Sequence, residues 1–241
     1  MSNKEAQSYS NWHKFQSYFN VLNHIFNGAV ACFMTFYLIK EWRDSFSLHV
    51  FLTTIGYQLL MTEAIMVFYT PNSWSFFHSH STKKHLHWIL QSIAAIFIIT
   101  GNVIITVIRT TPHFKTMHAI TGKREKEISQ NWTEILIKVI QGLISMILLV
   151  LSMTQGVWTY FAFKLRSIIK PVTSKFLHSI MSIMCLVTGM VSLICGYRYG
   201  LSHDLFTTTG MEYSLIAVAI VTTILSLIGA TKSVLSFCGK F

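Results

Sequence analysis

At 241 residues, 52% of them hydrophobic and only 12% charged, with a mean hydropathy of +0.49, the chain is too apolar for a soluble domain, which carries about 25% charged residues. Its formal net charge of +10 therefore reports which side of a membrane each connection faces, and nucleic acid is excluded as a partner. Cys32, Cys185, Cys195 and Cys238 lie at spacings that fit neither a metal site nor a disulfide framework, so they read as small buried hydrophobes.

Six apolar runs of roughly 20 residues are predicted, each enough to cross a ~30 Å hydrocarbon core at ~1.5 Å per residue. Only helices satisfy their own backbone in lipid at this length. The fold class is therefore all-α, an integral membrane bundle of six transmembrane helices in one domain. Residues 1–18 read as a polar cytosolic tail with no cleavable signal peptide, and the transmembrane domain occupies 19–235. The first span covers 19–39, with His24 one turn inside it. The second covers 48–69, running from His49 past Glu63 to Tyr69, and the turn residues Pro71, Asn72 and Ser73 close it. The next loop concentrates His78, His80, His85 and His87 with Lys83 and Lys84, and the third span covers 87–108.

The fourth element is irregular. "HFKTMHAITG" at 113–122 reads as a helix entry, yet the segment "KREKEISQNWTEILIKVIQG" at 123–142 follows, charged in its first half and carrying Lys138. Without that segment Gly122 would join Leu143, and one apolar span would start at His118. As it stands, the fourth span is predicted at 135–162. The fifth covers 176–196, with His178 a few residues in. The sixth covers 211–231, with no ionisable residue between Glu212 and Lys232, and 236–241 is a second cytosolic tail.

With both termini on one side, that side collects Lys4, Lys14, Lys83, Lys84, Lys164, Arg166, Lys170, Lys175, Lys232 and Lys240 against Glu5. On the other side Lys40 and Arg43 cancel Glu41 and Asp44, and Asp204 and Glu212 oppose Arg198. Basic loops stay cytoplasmic, so both termini are expected in the cytosol.

Four histidines then stand at the starts of four spans on alternating faces: His87 and His178 on the cytosolic side, His49 and His118 on the other. One interfacial histidine alone reads as a hydrogen-bonded or snorkelling side chain. Four at matched depths read as ligands, because two neutral imidazoles fill both axial positions of a haem iron. With both positions filled, such a haem moves electrons and leaves no open coordination site. Each pair must come from neighbouring helices, which places the sites between central helices 2–5. Glu63 is a carboxylate at lipid depth, a functional candidate by default, or a side chain that hydrogen-bonds a neighbouring helix or sits at the headgroup level. Lys83, Lys84 and Lys175 read either as positive-inside signal or as an attraction for an anionic substrate.

The stretches "FSLHVFLTTIGYQLLMTEAIMVF", "KKHLHWILQ", "HFKTMHAITG" and "SKFLHSIMS" resemble, in that order, spans two to five of the cytochrome b561 family, in its short transmembrane-reductase branch. His24 also has a counterpart in that branch's first span, and the resemblance covers roughly residues 20–235. It implies two b haems, with His49 and His118 holding the non-cytosolic one and His87 and His178 the cytosolic one. It further implies electron transfer from cytosolic ascorbate to monodehydroascorbate or ferric iron on the opposite face. His113 matches a position near the acceptor site, and Lys83, Lys84 and Lys175 would attract ascorbate. The expected location is an endomembrane, endoplasmic reticulum or vesicle, ahead of the plasma membrane, and a homodimer is compatible with the pattern.

The departure from the family is the 123–142 segment, whose removal restores the fourth span in register. Gly122-Lys-Arg can be encoded by a splice donor and Gln141-Gly by an acceptor, so the segment reads as a retained in-frame intron. Two other readings are carried beside the di-haem carrier. One is a haem-free metal or proton transporter that uses the same histidines with Glu63 as a relay. The other is an impaired single-haem protein, in which the inserted segment displaces His118.

Overall fold

The computed structural model describes residues 3–40, 45–69, 72–110, 125–162, 164, 170–198 and 209–238. Side chains are described at 14–40, 45–69, 72–107, 140–162, 164, 170–198 and 210–236. His113 and His118 lie outside the described residues.

The described residues form helices and short turns. Helix α1 is Asn3–Lys40, α2 is Ser45–Thr54, and a π-helical segment Ile55–Met61 joins it to α3, Thr62–Met66. Then come α4 (His80–Thr110), α5 (Glu125–Phe161), α6 (Pro171–Gly196) and α7 (Thr209–Cys238). Lys14–Lys40, His80–Val107, Ile140–Phe161, Pro171–Gly196 and Gly210–Ser236 are each long and apolar enough to cross a membrane. The α2–π–α3 run supplies the sixth crossing. The bundle is thus the expected multi-pass helical one. Helix α4 opens earlier than the apolar run suggested, because His80 to His85 form polar first turns outside the lipid-facing stretch. Helix α5 likewise begins at Glu125, so residues 125–134 extend the fourth span as helix.

The second span is the axis of the bundle: it packs against α1, α4, α6 and α7. Its residues explain why. Thr53, Thr54, Ile55, Gly56, Tyr57, Gln58 and Met61 are buried, with few side chains left for lipid. Gly56 lets α4 approach closely, since a Cβ there would lie 2.5 Å from Ile98 Cγ1 and 3.2 Å from the Ala94 carbonyl oxygen. Lipid tails are as apolar as leucine, so small residues and interhelical hydrogen bonds drive such association. Helices α5 and α6 show the second kind. Ser152 and Ser182 hydroxyls meet at 3.1 Å, Thr159 and Ser174 hydroxyls at 3.0 Å, and Gln141 Nε2 donates to the Thr188 carbonyl at 3.3 Å. Pro171 opens α6 at a position that needs no amide donor, after an extended Lys170.

Candidate functional site

His87 and His178 each stand seven residues after the start of their helices, α4 and α6. The bundle brings them together: their ring centres are 6.0 Å apart and their planes lie at 89°. Packing interfaces of α4 are with α2, the π segment, α3 and α5, and those of α6 are with α5, α7, α2 and the π segment. The two imidazoles therefore meet from helices that share no large interface of their own.

Local contacts aim both rings. His87 Nδ1 donates to the Ala64 carbonyl oxygen at 2.7 Å, which fixes its tautomer and makes Nε2 the lone-pair nitrogen. Metal-bound histidines are commonly oriented in this way. Phe68 lies against His87 in a tilted arrangement, 5.3 Å between ring centres. His178 lies beside the Ser152 carbonyl, yet its buried Nδ1 has no partner that meets hydrogen-bond geometry. Gly156 of α5 makes the room for this ring, since a Cβ there would sit 3.2 Å from His178 Cε1.

The separation of the two rings is that of imidazoles sharing one metal ion. An imidazole nitrogen binds a transition metal at about 2 Å, as at zinc, and the ring centre lies about 1 Å behind it, so two rings on one ion have centres about 6 Å apart. Among the described residues no group of three or more His, Cys, Asp or Glu side chains could hold a metal ion. A haem would take its protein ligands from two imidazoles, so His87 and His178 would be enough to hold its iron.

At the other end of the second span, His49 repeats the arrangement. Its Nδ1 donates to the Gly101 carbonyl oxygen of α4 at 2.8 Å. Gly101 must be small there, because a Cβ would meet the His49 carbonyl oxygen at 3.3 Å and Thr53 Cγ2 at 3.1 Å. Two histidines from opposite faces are thus tied by the same device, a ring N–H on a neighbouring helix's carbonyl. His118, the expected partner of His49, lies outside the described residues, as does His113. Lys83, Lys84 and Lys175 stand one turn or so outside His87 and His178, with Lys84 and Lys175 exposed.

The family model of eukaryotic cytochrome b561 matches residues 48–124 and 139–204, more than half of the chain. The chain belongs to the eukaryotic cytochrome b561 family. It is accordingly a multi-pass transmembrane electron carrier of the b-haem type and an oxidoreductase. The match spans the second to fifth crossings and is interrupted at residues 125–138, within the charged segment. Comparison with curated proteins and with solved structures gave no match.

Sequence reasoning did not reach several parts of this candidate site. The Ala64 and Gly101 carbonyls carry no side-chain signal, and Gly156 is one unremarked glycine in an apolar run. The π segment also had no signature beyond Gly56. A polar stripe was detectable, however: Asn20, Asn23 and Asn27 recur at helical spacing inside an apolar span and are all buried.

Proposed function

We propose that the chain carries electrons across the membrane through two b haems, one held by His87 and His178 near the cytosolic face and one by His49 and His118 near the opposite face. The electron donor is ascorbate in the cytosol, and the acceptor is monodehydroascorbate or ferric iron. The observation that carries this reading is the His87–His178 pair, two imidazoles at metal-sharing separation with one Nδ1 already tied to a backbone carbonyl. His49 supports the second site through its own carbonyl tie.

The haem supplies the reversible one-electron chemistry, and the protein supplies placement and orientation. Ala64 and Gly101 hold the two rings at fixed tautomers. The bundle excludes water from the intervening path, where Tyr57, Met61, Cys185, Leu186 and Met190 are almost fully buried. Two sites, one near each face, shorten the hop that one central cofactor would demand across a ~30 Å core. Lys84 and Lys175, exposed near the cytosolic pair, attract the ascorbate anion to that face. A haem held by His87 and His178 would have no open coordination site and would supply electron transfer alone.

The interruption of the family match at 125–138 favours a second reading for this particular chain. The inserted segment separates His118 from the apolar body of its span, and a retained intron would leave the cytosolic site intact while weakening the other. The haem content of the purified protein tests both readings. Two haems per chain supports the full carrier, one supports the impaired form, and a colourless protein removes both in favour of a haem-free transporter.

A further inference from the structure

Helix α1 carries its polarity inward. Asn20, Asn23 and Asn27 recur three and four residues apart and are all buried, while Val21, Leu22 and Ile25 between them stand exposed. Further along, the buried face turns apolar, at Val30, Met34 and Tyr37. The helix packs against the second span and α7, which bring Thr62, Thr222 and Ser226, all fully buried. Three crossings thus close on a polar seam. It lies in the half of the bundle that holds His87, since His24, between these asparagines, meets Glu63, and Ala64 next to it takes the His87 hydrogen bond.

The seam leaves particular atoms open. Thr62 donates its hydroxyl hydrogen to the Leu59 carbonyl at 2.9 Å, so it can only accept from Asn27, whose Nδ2 lies at 3.1 Å. Asn27 Oδ1 is then a buried acceptor without a donor. Asn20 Oδ1 accepts from the Ser73 N–H at 2.8 Å, which leaves Nδ2 a buried donor without an acceptor. Asn23 donates to the Ser226 hydroxyl at 3.1 Å and its Oδ1 is open; with the amide turned over, Nδ2 would be open instead. One helix face therefore carries an open donor and two open acceptors, a turn apart, at a depth where lipid satisfies none of them. A metal cation would match the acceptors and oppose the Asn20 donor. Water matches both kinds.

We propose that this seam is a binding site for two ordered waters, one between Asn20 and Asn23 and one between Asn23 and Asn27. Residues three or four apart on a helix have Cβ atoms about 5–6 Å apart, which two hydrogen bonds of about 2.8–3.0 Å each can span. The first water accepts from Asn20 Nδ2 and donates to Asn23 Oδ1. The second donates to Asn23 Oδ1 and to Asn27 Oδ1. Each then makes at least the two hydrogen bonds that a buried water requires. The waters complete amides whose other ends bind Thr62 and Ser226, so they take part in the attachment of α1. Both α1 and α7 lie outside the stretches matched by the family model, 48–124 and 139–204. The site is therefore where the two outer crossings join the second span of the matched core.

The test is magic-angle-spinning NMR of the purified full chain in lipid bilayers, labelled with nitrogen-15 asparagine. Magnetisation is passed from water protons to the side-chain amides over a short mixing time. Asn23–His24, Asn27–Gly28 and Asn72–Ser73 are each unique residue pairs, so pairwise labelling assigns all three without a variant. Asn72 is the reference. It is fully buried beside His24, a turn outside Asn27, and both ends of its amide are partnered, Oδ1 by the Trp74 N–H and Nδ2 by the Met66 carbonyl. Asn23 and Asn27 should receive water magnetisation several-fold faster than Asn72, although Asn27 lies deeper. Transfer to them no faster than to Asn72 means a dry seam and overturns the proposal. Asn27→Leu removes one end of the second bridge and should slow transfer to Asn23; unchanged transfer in the folded variant overturns the bridging arrangement. Replacing sodium and potassium salts by choline chloride should leave the Asn23 and Asn27 signals in place. Signals that shift on that exchange put a metal cation in the seam, and the water site fails.

Discussion

Gly189 of α6 faces the ring of Tyr57 in the π segment so closely that a Cβ would lie 2.8 Å from Cζ and nearer still to Cδ1 and Cε1. Carbon atoms in contact sit about 3.5–4.0 Å apart, so Gly189→Ala forces the ring or the helix back by about 1 Å or more. The ring has little freedom to retreat, because Tyr57 is only 3% exposed and packed in the core. Overpacking of this kind costs about 1–3 kcal/mol. At about 2–4 °C per kcal/mol for a chain of this size, the expected fall in Tm is about 2–12 °C. The assay is thermal loss of the haem absorbance in detergent, with the Tyr57→Leu and double variants completing a cycle. If the clash is the cause, the double variant recovers part of the loss, with a coupling of about 0.5–3 kcal/mol. A Gly189→Ala protein that melts with the wild type, or additive effects in the cycle, would refute the reasoning.

Gly156→Leu fills the space beside His178 and should lower haem content while circular dichroism shows the helices intact; unchanged haem content contradicts the role given to that glycine. Tyr197→Phe removes the hydroxyl that meets Thr54 Oγ1 at 3.0 Å and donates to Gln58 Oε1 at 3.2 Å. Helix-bridging hydrogen bonds in membranes average about 0.6 kcal/mol, so a loss of roughly that size in an unfolding titration is expected, and a stabilised variant would count against the network. Deleting residues 123–142, the segment whose removal joins Gly122 to Leu143 in register, should leave the cytosolic haem in place and raise the occupancy of the second. Unchanged haem content on deletion speaks against an insertion that weakens the His118 site.

Hydrophobic run length was enough to locate the crossings, because only the helix satisfies a backbone in lipid. Histidines at the starts of four spans put forward His87 with His178 and His49 with His118 as candidate pairs, and the bundle brings the rings of the first pair to 6.0 Å between centres. Orientation was not legible. The rings are aimed by the Ala64 and Gly101 carbonyls and by the space at Gly156, and backbone atoms leave no mark in residue identity. The central place of the second span was also hidden, because its hydropathy matches that of its neighbours while its burial depends on glycine contacts across helices. Glu63 reads in the sequence as a functional candidate at lipid depth or as a hydrogen bond to a neighbouring helix, and the bundle shows such a bond. Its partners, His24 and Trp74, come from separate segments, and no local pattern could join them.

Haem stoichiometry with ligand replacement tests the central claim most directly. Purified wild type, His87→Ala and His178→Ala are compared by haem assay per chain and by low-temperature electron paramagnetic resonance. Both variants should lose the same single haem and the same low-spin bis-imidazole signal, and neither should be reduced by ascorbate at that site. Retention of that haem and its signal in either variant would contradict the pairing of His87 with His178.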